Sequence, residues 1–274
     1  MGKSDYSEFS SPEMELAAVR KMNSDNPNYW GWANGMFIAG TDDFIAMRFA
    51  TGGNYESVTR ALWRNMCAKA EMAIDVGSHS GVFTLDAYRA GAKKVVSVEP
   101  NPINYSRLLI NLRKNGFDQN GAFYGAAGDK NRIGELAVGT ALTHCHAAGC
   151  VDTANRKGHQ LPVRVVRLDN LIPEEFWHEV QALKIDAENL TPNVLRGMGK
   201  ILENKPDMII ECIVGGMDEI LAPLGYKFWR VWESGKIEEV DNLDPYNPNN
   251  NYNGTHEECR NRFVSVNGLP DGTD

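Results

Sequence analysis

The sequence predicts an α/β fold built on a mainly parallel, doubly wound sheet. Three observations carry that prediction. Strand-like and helix-like segments alternate from Met72 onward, as parallel strands joined by crossover helices require. A glycine-bearing turn, "DVGSHSG", joins the first of these strands to the first of these helices. A short apolar run, "RFVSV", follows a long loop-like stretch near the C-terminus and adds a late strand.

The bulk composition fits such a domain and excludes other classes. With 274 residues, 42% hydrophobic and 23% charged, the chain can bury a sizeable core in one large domain or two small ones. A net charge of −8 argues against a nucleic-acid backbone as the main partner, because phosphates need clustered Lys and Arg. No run of 18 apolar residues occurs, so no membrane span is expected. The start, "MGKSDYSEFS", lacks the apolar stretch of a secretory signal, and Tyr6 stands where myristoylation needs Ser or Thr. The five cysteines are odd in number, scattered and without a CxxC pair, which suits a reducing compartment. A cytoplasmic protein is therefore expected.

Taken in order, residues 1–54 read as an N-terminal extension or cover, and residues 55–274 as the main domain. Trp30, Trp32 and Phe37 in the extension read as core or cover rather than a substrate entrance. Tyr55 to Ala70 is helical, with Val58, Ala61, Leu62 and Met66 on one face. "MAIDV" and "VVSVE" are strands, and the helix between them closes at Gly91. Pro100 and Pro102 open the next helix, which carries Tyr105, Leu108, Leu109 and Leu112 at helical spacing; Asn115-Gly116 stops it. The Gly- and Ala-rich stretch from Gly121 to Leu161 predicts short strands and turns. "PVRVVRLDNL" alternates as a strand should, and "VQALKID" is a buried strand ending in acids. Thr191-Pro192 supplies the start of an amphipathic helix that runs to Glu203. "DMIIEC", "MDEILAPLG" and "YKFWRVW" then read as strand, helix and strand, and "DNLDPYNPNNNYNG" as a loop.

In sheets of this kind the ligand lies beyond the carboxyl ends of the strands, at the switch point. Gly77 and Gly81 would let the backbone approach a ligand closely, and the helix N-terminus behind them favours an anionic group. Glu99, 22 residues after Gly77, ends the next strand, where a carboxylate can accept from both hydroxyls of a ribose. Together these point to an adenosine-containing cofactor. The glycines are spaced GxxxG, however, and not GxGxxG as a dinucleotide site needs. Asp75 precedes the first glycine, where it would repel a pyrophosphate and suit an ammonium group such as that of S-adenosylmethionine (SAM). DxGxxxG followed by an acid at the next strand end is the usual methyltransferase pattern.

Four segments carry a closer likeness: Asp75–Gly81, Glu99-Pro100-Asn101-Pro102, Leu168-Asp169 and "KIDAEN" at Lys184–Asn189. Together they resemble the FkbM family of SAM-dependent methyltransferases, from about Tyr55 to the last strand. The resemblance implies a seven-stranded, Rossmann-like sheet whose last strand is antiparallel. It also implies SAM as cofactor and methyl transfer onto an oxygen of a sugar, glycan or small natural product. Ser78-His79 replaces the family's usual Ala-Asn, and Asn189 replaces a glycine; Asn tolerates left-handed backbone angles, so the turn is expected to survive.

The expected cofactor-binding residues are Asp75, Gly77, Ser78, His79, Gly81, Glu99, Pro100 and Asn101, with Ala126 and Ala127 as a wall beside the adenine. A hydroxyl acceptor must lose a proton during attack. Asp186 and Glu188, at a buried strand end on the ligand face, are the expected catalytic acids, with His144 and His146 in reserve. "HCHAAGC" at His144–Cys150 has neither zinc-type spacing, so no metal is expected. The expected partner is a small-molecule or glycan acceptor, and the oligomeric state, a homo-oligomer included, is left open. Two other classes stand beside this reading. An NAD-dependent oxidoreductase is disfavoured by the glycine spacing and by the lack of a Tyr-x-x-x-Lys signature. A non-catalytic SAM- or glycan-binding module would use the same fold without chemistry.

Overall fold

The computed structural model describes residues 30–33, 35–39, 44–50, 55–138, 159–246 and 260–270. The first elements form a small cover: the hairpin β1 (Trp30–Ala33) and β2 (Met36–Ala39), then helix α1 (Phe44–Ala50). Helix α2 (Ser57–Cys67) leads into β3 (Met72–Val76), α3 (Val82–Ala90), β4 (Lys94–Glu99), α4 (Pro102–Lys114) and β5 (Ala122–Tyr124). Then come β6 (Ala126–Ala127), β7 (Arg132–Val138), β8 (His159–Val166) and the short α5 (Leu168–Leu171). The remainder is β9 (Val180–Ile185), α6 (Thr191–Arg196), α7 (Gly199–Leu202), β10 (Asp207–Glu211), α8 (Asp218–Leu221), β11 (Lys227–Val231), β12 (Ile237–Val240) and β13 (Asn261–Ser265).

The main sheet has the order β12-β11-β13-β10-β9-β3-β4-β5. Strands β5, β4, β3, β9 and β10 run parallel, and β13 is antiparallel to both β10 and β11. The expected antiparallel last strand is therefore present, wedged between β10 and β11. The sheet has eight strands where seven were expected. Gly235, at φ +106, lets the chain fold back after β11 into an edge hairpin with β12. A second sheet, β6-β8-β7, is formed by described parts of the Gly- and Ala-rich stretch and the strand after it, while residues 139–158 lie outside the described residues.

Sequence pattern explains most of the helices. Asn101 caps α4 by accepting from the backbone N–H groups of Ile103 and Asn104, at 2.9 and 3.4 Å, with Pro102 next to it. On α2 the buried face carries Leu62, Trp63, Met66 and Cys67, whereas Ala61 is exposed. Thr191–Glu203 was expected to be one helix but is two. The Gly197 carbonyl accepts from the Asp169 N–H at 3.2 Å, so a tertiary contact interrupts the helix at that point. Gly197 also has no room for a side chain, because a Cβ there would sit 1.9 Å from the Gly128 carbonyl oxygen.

The cover is tied to the sheet layer through α4. Met36, Ile38, Ala46 and Phe49 share one core with Val82, Leu85, Leu108 and Leu112. Asn115 accepts from the Phe37 N–H and donates to its carbonyl, both at 2.8 Å. Asn111 accepts from the Ala39 N–H at 2.6 Å and donates to the Ser80 carbonyl at 2.7 Å. Phe37 is half-buried here, while the side chains of Trp30 and Trp32 fall outside the described set. No helix among the described residues is long and apolar enough to cross a membrane.

The break between α6 and α7 generates a paired test. Gly197→Ala should cost about 1–3 kcal/mol through overpacking against Gly128. Gly199→Ala, with nothing within 4 Å of the new methyl, should instead gain about 0.4–1 kcal/mol from the restricted unfolded chain. Urea unfolding of the two variants checks both signs.

Candidate active site

The strand order reverses at β3: β4 lies on one side and β9 on the other. The loops after β3 and β9 therefore meet at the switch point. Gly77, at φ +79, makes that meeting possible, because a Cβ there would fall 1.9 Å from the Asp186 carbonyl oxygen. The Asp186 N–H in turn donates to the Val76 carbonyl at 2.9 Å. Gly81, at φ +94, is pressed against α4, where a Cβ would meet Leu108 Cδ1 at 2.6 Å. Both glycines thus serve contacts within the protein.

Glu99 fastens the loop from the other side. One carboxylate oxygen accepts from the His79 N–H at 2.7 Å and the other from the Asn101 N–H at 2.8 Å. The side chain is buried, and burial pushes its pKa up to about 7, against the opposing pull of His79 and these hydrogen bonds. His79 itself has φ +52, a left-handed backbone. Asn, Asp and His are the non-glycine residues most enriched there, so His in the family's Asn position has a backbone reason.

Asp75 lies on the sheet face covered by α3. It accepts from the Thr84 hydroxyl at 2.6 Å, and that hydroxyl also contacts Ser97 Oγ at 2.9 Å. Burial raises its pKa to about 6, opposed by the charge of Lys184. Lys184 is its cross-strand neighbour, fully buried, with Nζ 3.0 Å from Asp186 Oδ2 and 4.4 Å from the centre of the Phe83 ring. Burial works against the Lys184 charge, but Asp186, Glu56 and Asp75 outweigh it and hold the ammonium charged.

Asp186 keeps 28% of its side chain exposed, whereas Lys184 keeps 2%. Burial alone would raise the Asp186 pKa, but the Lys184 charge and hydrogen bond bring it below the usual carboxylate range. Glu188 opens a short 3-10 turn, Glu188–Leu190, with φ +53. The left-handed residue of this turn is therefore Glu188, and not Asn189 as the sequence suggested. For a Glu such a conformation costs roughly 1 kcal/mol or more.

The remaining predicted residues are placed as follows. Pro100 is half-buried beside Glu99. Ala126 packs with Leu136, Val163 and Val165, and Ala127 joins the main core. Gly125, just before them, donates its N–H to the Glu99 carbonyl at 3.1 Å, so this pair sits next to the end of β4. Asp169 forms a two-point ion pair with Arg167, at 2.8 and 2.6 Å. Arg167 also donates to the Asp129 carbonyl at 2.9 Å, which pins the loop after β6. His144, His146 and Cys150 lie outside the described residues.

Three residues enter the site that sequence reasoning had not singled out. Ser78 was expected, but Asn104 on α4 was not; Asn104 is 1% exposed. Among the described residues neither the Ser78 hydroxyl nor either amide atom of Asn104 has a hydrogen-bond partner. Buried polar groups of this kind call for a water or a ligand group. Glu211, at the end of β10, stands beside Asp186, whose negative charge helps burial raise the Glu211 pKa. Its signal was the acid closing "DMIIEC". Thr84, the partner of Asp75, left no signal beyond its place on the helix.

The loop geometry predicts which residues position 79 accepts. His79→Asn and His79→Gly should unfold within about 1 kcal/mol of the parent, since both tolerate the left-handed region. His79→Val should lose about 1–3 kcal/mol, the usual cost of forcing a branched residue there. Denaturant midpoints of the three variants check this.

No curated protein matches the sequence. Similar solved structures include the methyltransferase FkbM from Methylobacillus flagellatus KT, at 15% identity and a TM-score of 0.43, covering 71% of this chain and 43% of that one. The chain thus spans less than half the length of that protein. A SAM-dependent methyltransferase from Agrobacterium tumefaciens is 12% identical, with a TM-score of 0.44, over 87% of this chain and 70% of its own. The model of the methyltransferase FkbM domain matches residues 75–228, more than half of the chain and every element of the site from Asp75 to Glu211. The chain belongs to the FkbM methyltransferase family.

Proposed function

We propose that this protein is a SAM-dependent O-methyltransferase acting on a hydroxyl of a sugar, glycan or small natural product. The observation that carries the reading is Glu99. Each of its oxygens already holds one backbone N–H, which orients the carboxylate and leaves a lone pair on each for the vicinal diol of a ribose. The orphaned Ser78 hydroxyl in the adjoining loop supports a ligand with polar groups there. Bound SAM would supply an electrophilic methyl group on a sulfonium.

The chain's own residues would divide the remaining work. Gly77, Ser78, His79 and Gly81 shape the loop, and Asn101 and Pro100 hold the other wall through α4. Ala126 and Ala127, beside the end of β4, would border the adenine. Asp75 stabilises the loop base from within the sheet and supplies negative charge behind it. Asp186 would take the proton of the acceptor hydroxyl, and Glu188 would orient the acceptor. Within residues 1–54, the described β1, β2 and α1 would act as a cover over α3 and α4. The net charge of −8 supports a small-molecule or glycan acceptor over a nucleic acid. The NAD-dependent oxidoreductase reading loses its ground with the family assignment.

Two measurements test this. Ribose hydroxyls favour the ionised form of Glu99, so binding below pH 7 must release its proton. SAM affinity should therefore weaken towards tenfold per pH unit as pH falls below about 7, and level off above it. Glu99→Gln should remove most of that slope, as titration calorimetry across pH 5.5–8.5 would reveal, on the order of the range this group spans. Methyl-labelled SAM incubated with a glycan and metabolite panel reads the chemistry. Asp186→Asn and Glu188→Gln should keep SAM affinity within a few-fold, and lose turnover by ~10²–10⁴ if the residue serves as base. SAM binding without any labelled product across the panel would favour the non-catalytic binding module.

A further inference from the structure

Glu211 is the residue the proposed mechanism has not used. It ends β10 next to Asp186: Ile210 is in register with Ile185, so the next residue of each strand stands side by side. Asp75, Lys184 and Asp186 lie on this same sheet face, with Glu211 beside them. The Glu211 side chain keeps only 12% of its surface exposed. Among the described residues no donor reaches its Oε2, which is fully buried. Arg260 places Nη1 4.0 Å from its other oxygen, Oε1, and that guanidinium also lies over the Tyr246 ring. Lys184, the strong local cation, is bonded to Asp186 instead.

An ionised carboxylate in that position would hold Oε2 out of water without a donor and beside a second carboxylate, and Arg260, 4.0 Å from Oε1 and 46% exposed, would offset that charge in part. The arrangement resolves if one proton is shared. We propose that Glu211 is a positioning residue which, as a neutral acid, donates its proton in a hydrogen bond to Asp186 and so holds the Asp186 carboxylate in one orientation. This rests on Asp186 being the proton acceptor of the methyl-transfer reading. Asp186 is then held at three points. Lys184 binds Oδ2, Glu211 donates to the carboxylate, and the backbone is locked by Gly77 and Val76. The part of the carboxylate that stays exposed leaves acceptor sites open.

The balance of the step is simple. As the acceptor oxygen forms its bond to the methyl carbon, the carbon–sulfur pair stays on the sulfonium sulfur, and the hydroxyl proton passes to Asp186. Glu211 keeps its own proton throughout, and Asp186 returns the one it gained to solvent through its exposed edge.

The groups facing this pair are Lys184 from β9, Glu188 from the following turn, Asp75 from β3, His79 from the loop after it, and Arg260 ahead of β13. Burial and the charges of Asp186 and Glu188 all raise the Glu211 pKa, in keeping with a retained proton. Ionising Glu211 at high pH should therefore repel Asp186 and disorder the dyad.

Carbon-13 spectra of the carboxyl carbons in the unliganded protein, assigned with Glu211→Gln, test the sharing without any acceptor. The Glu211 signal should stay at its protonated position at neutral pH while Asp186 is ionised; an ionised Glu211 at pH 6 overturns the proposal whatever the enzyme does. Turnover with an acceptor found by the label screen tests the consequence. Glu211→Gln keeps a donor and should stay within a few-fold of the parent, but lose the alkaline fall in rate. Glu211→Leu should lose about ten- to hundredfold, the worth of a hydrogen bond to a charged acceptor. Equal rates and equal pH profiles for all three overturn it. If the shared proton is seen but Asp186→Asn turns over normally, the assignment of Asp186 as base fails instead, so the two failures are separable.

Discussion

The site depends on one contact, the Asp186 carbonyl lodged where Gly77 has no side chain. A Cβ at 1.9 Å would push the two loops apart, and everything built on them would separate. The Asp186 N–H bonded to Val76 completes the join. These interactions bring the ends of β3 and β9 together at the one point where the strand order reverses. The glycine that sequence reasoning assigned to ligand approach is thus first required by the protein itself, and the ligand surface follows from it.

Five acids lie around this contact, and their surroundings divide them into different chemical species. Asp75 and Glu99 are buried, with pKa values raised to about 6 and about 7. Asp186, also close to the interior, is brought low by Lys184, while Glu211 is driven high by burial and by its acidic neighbours. Glu188 differs in kind, being set apart by a left-handed backbone. Identical side-chain chemistry therefore yields two buried groups raised towards neutrality, one carboxylate held low and one held high. Such separation of paired acids is what proton transfer at neutral pH requires.

The strands, most helices and the loop containing the expected site residues could be read in the sequence because each depends on local pattern. Apolar runs of five or six residues gave β3, β4, β9 and β10, and Asn101-Pro102 announced the start of α4. What escaped was non-local. The first turn of α2 has its N–H groups at Val58 and Thr59 satisfied by Glu233, at 2.9 and 3.2 Å, from the far end of the chain. The single helix expected over Thr191–Glu203 is broken by a hydrogen bond from Asp169. Glu211 reads in sequence as an ordinary strand-end acid, and only the register of β9 against β10 sets it beside Asp186. The left-handed position fell on Glu188 because spacing cannot say which residue of a turn takes the positive φ.

The N-terminal cover is coupled to the loop by the same logic of shared polar groups. Asn111 uses its amide oxygen on the Ala39 N–H and its amide nitrogen on the Ser80 carbonyl. One buried side chain thus ties β2 to the Gly77–Gly81 turn, and Leu108, one turn earlier on α4, closes on Gly81. An amide can serve a donor and an acceptor at once, which an ionised carboxylate in that place could not. Displacing β2 would leave the Asn111 oxygen without its donor in a buried setting, at about 1–3 kcal/mol, while the nitrogen still held the loop. The cover therefore stabilises the Gly77–Gly81 turn through α4, from outside the turn itself.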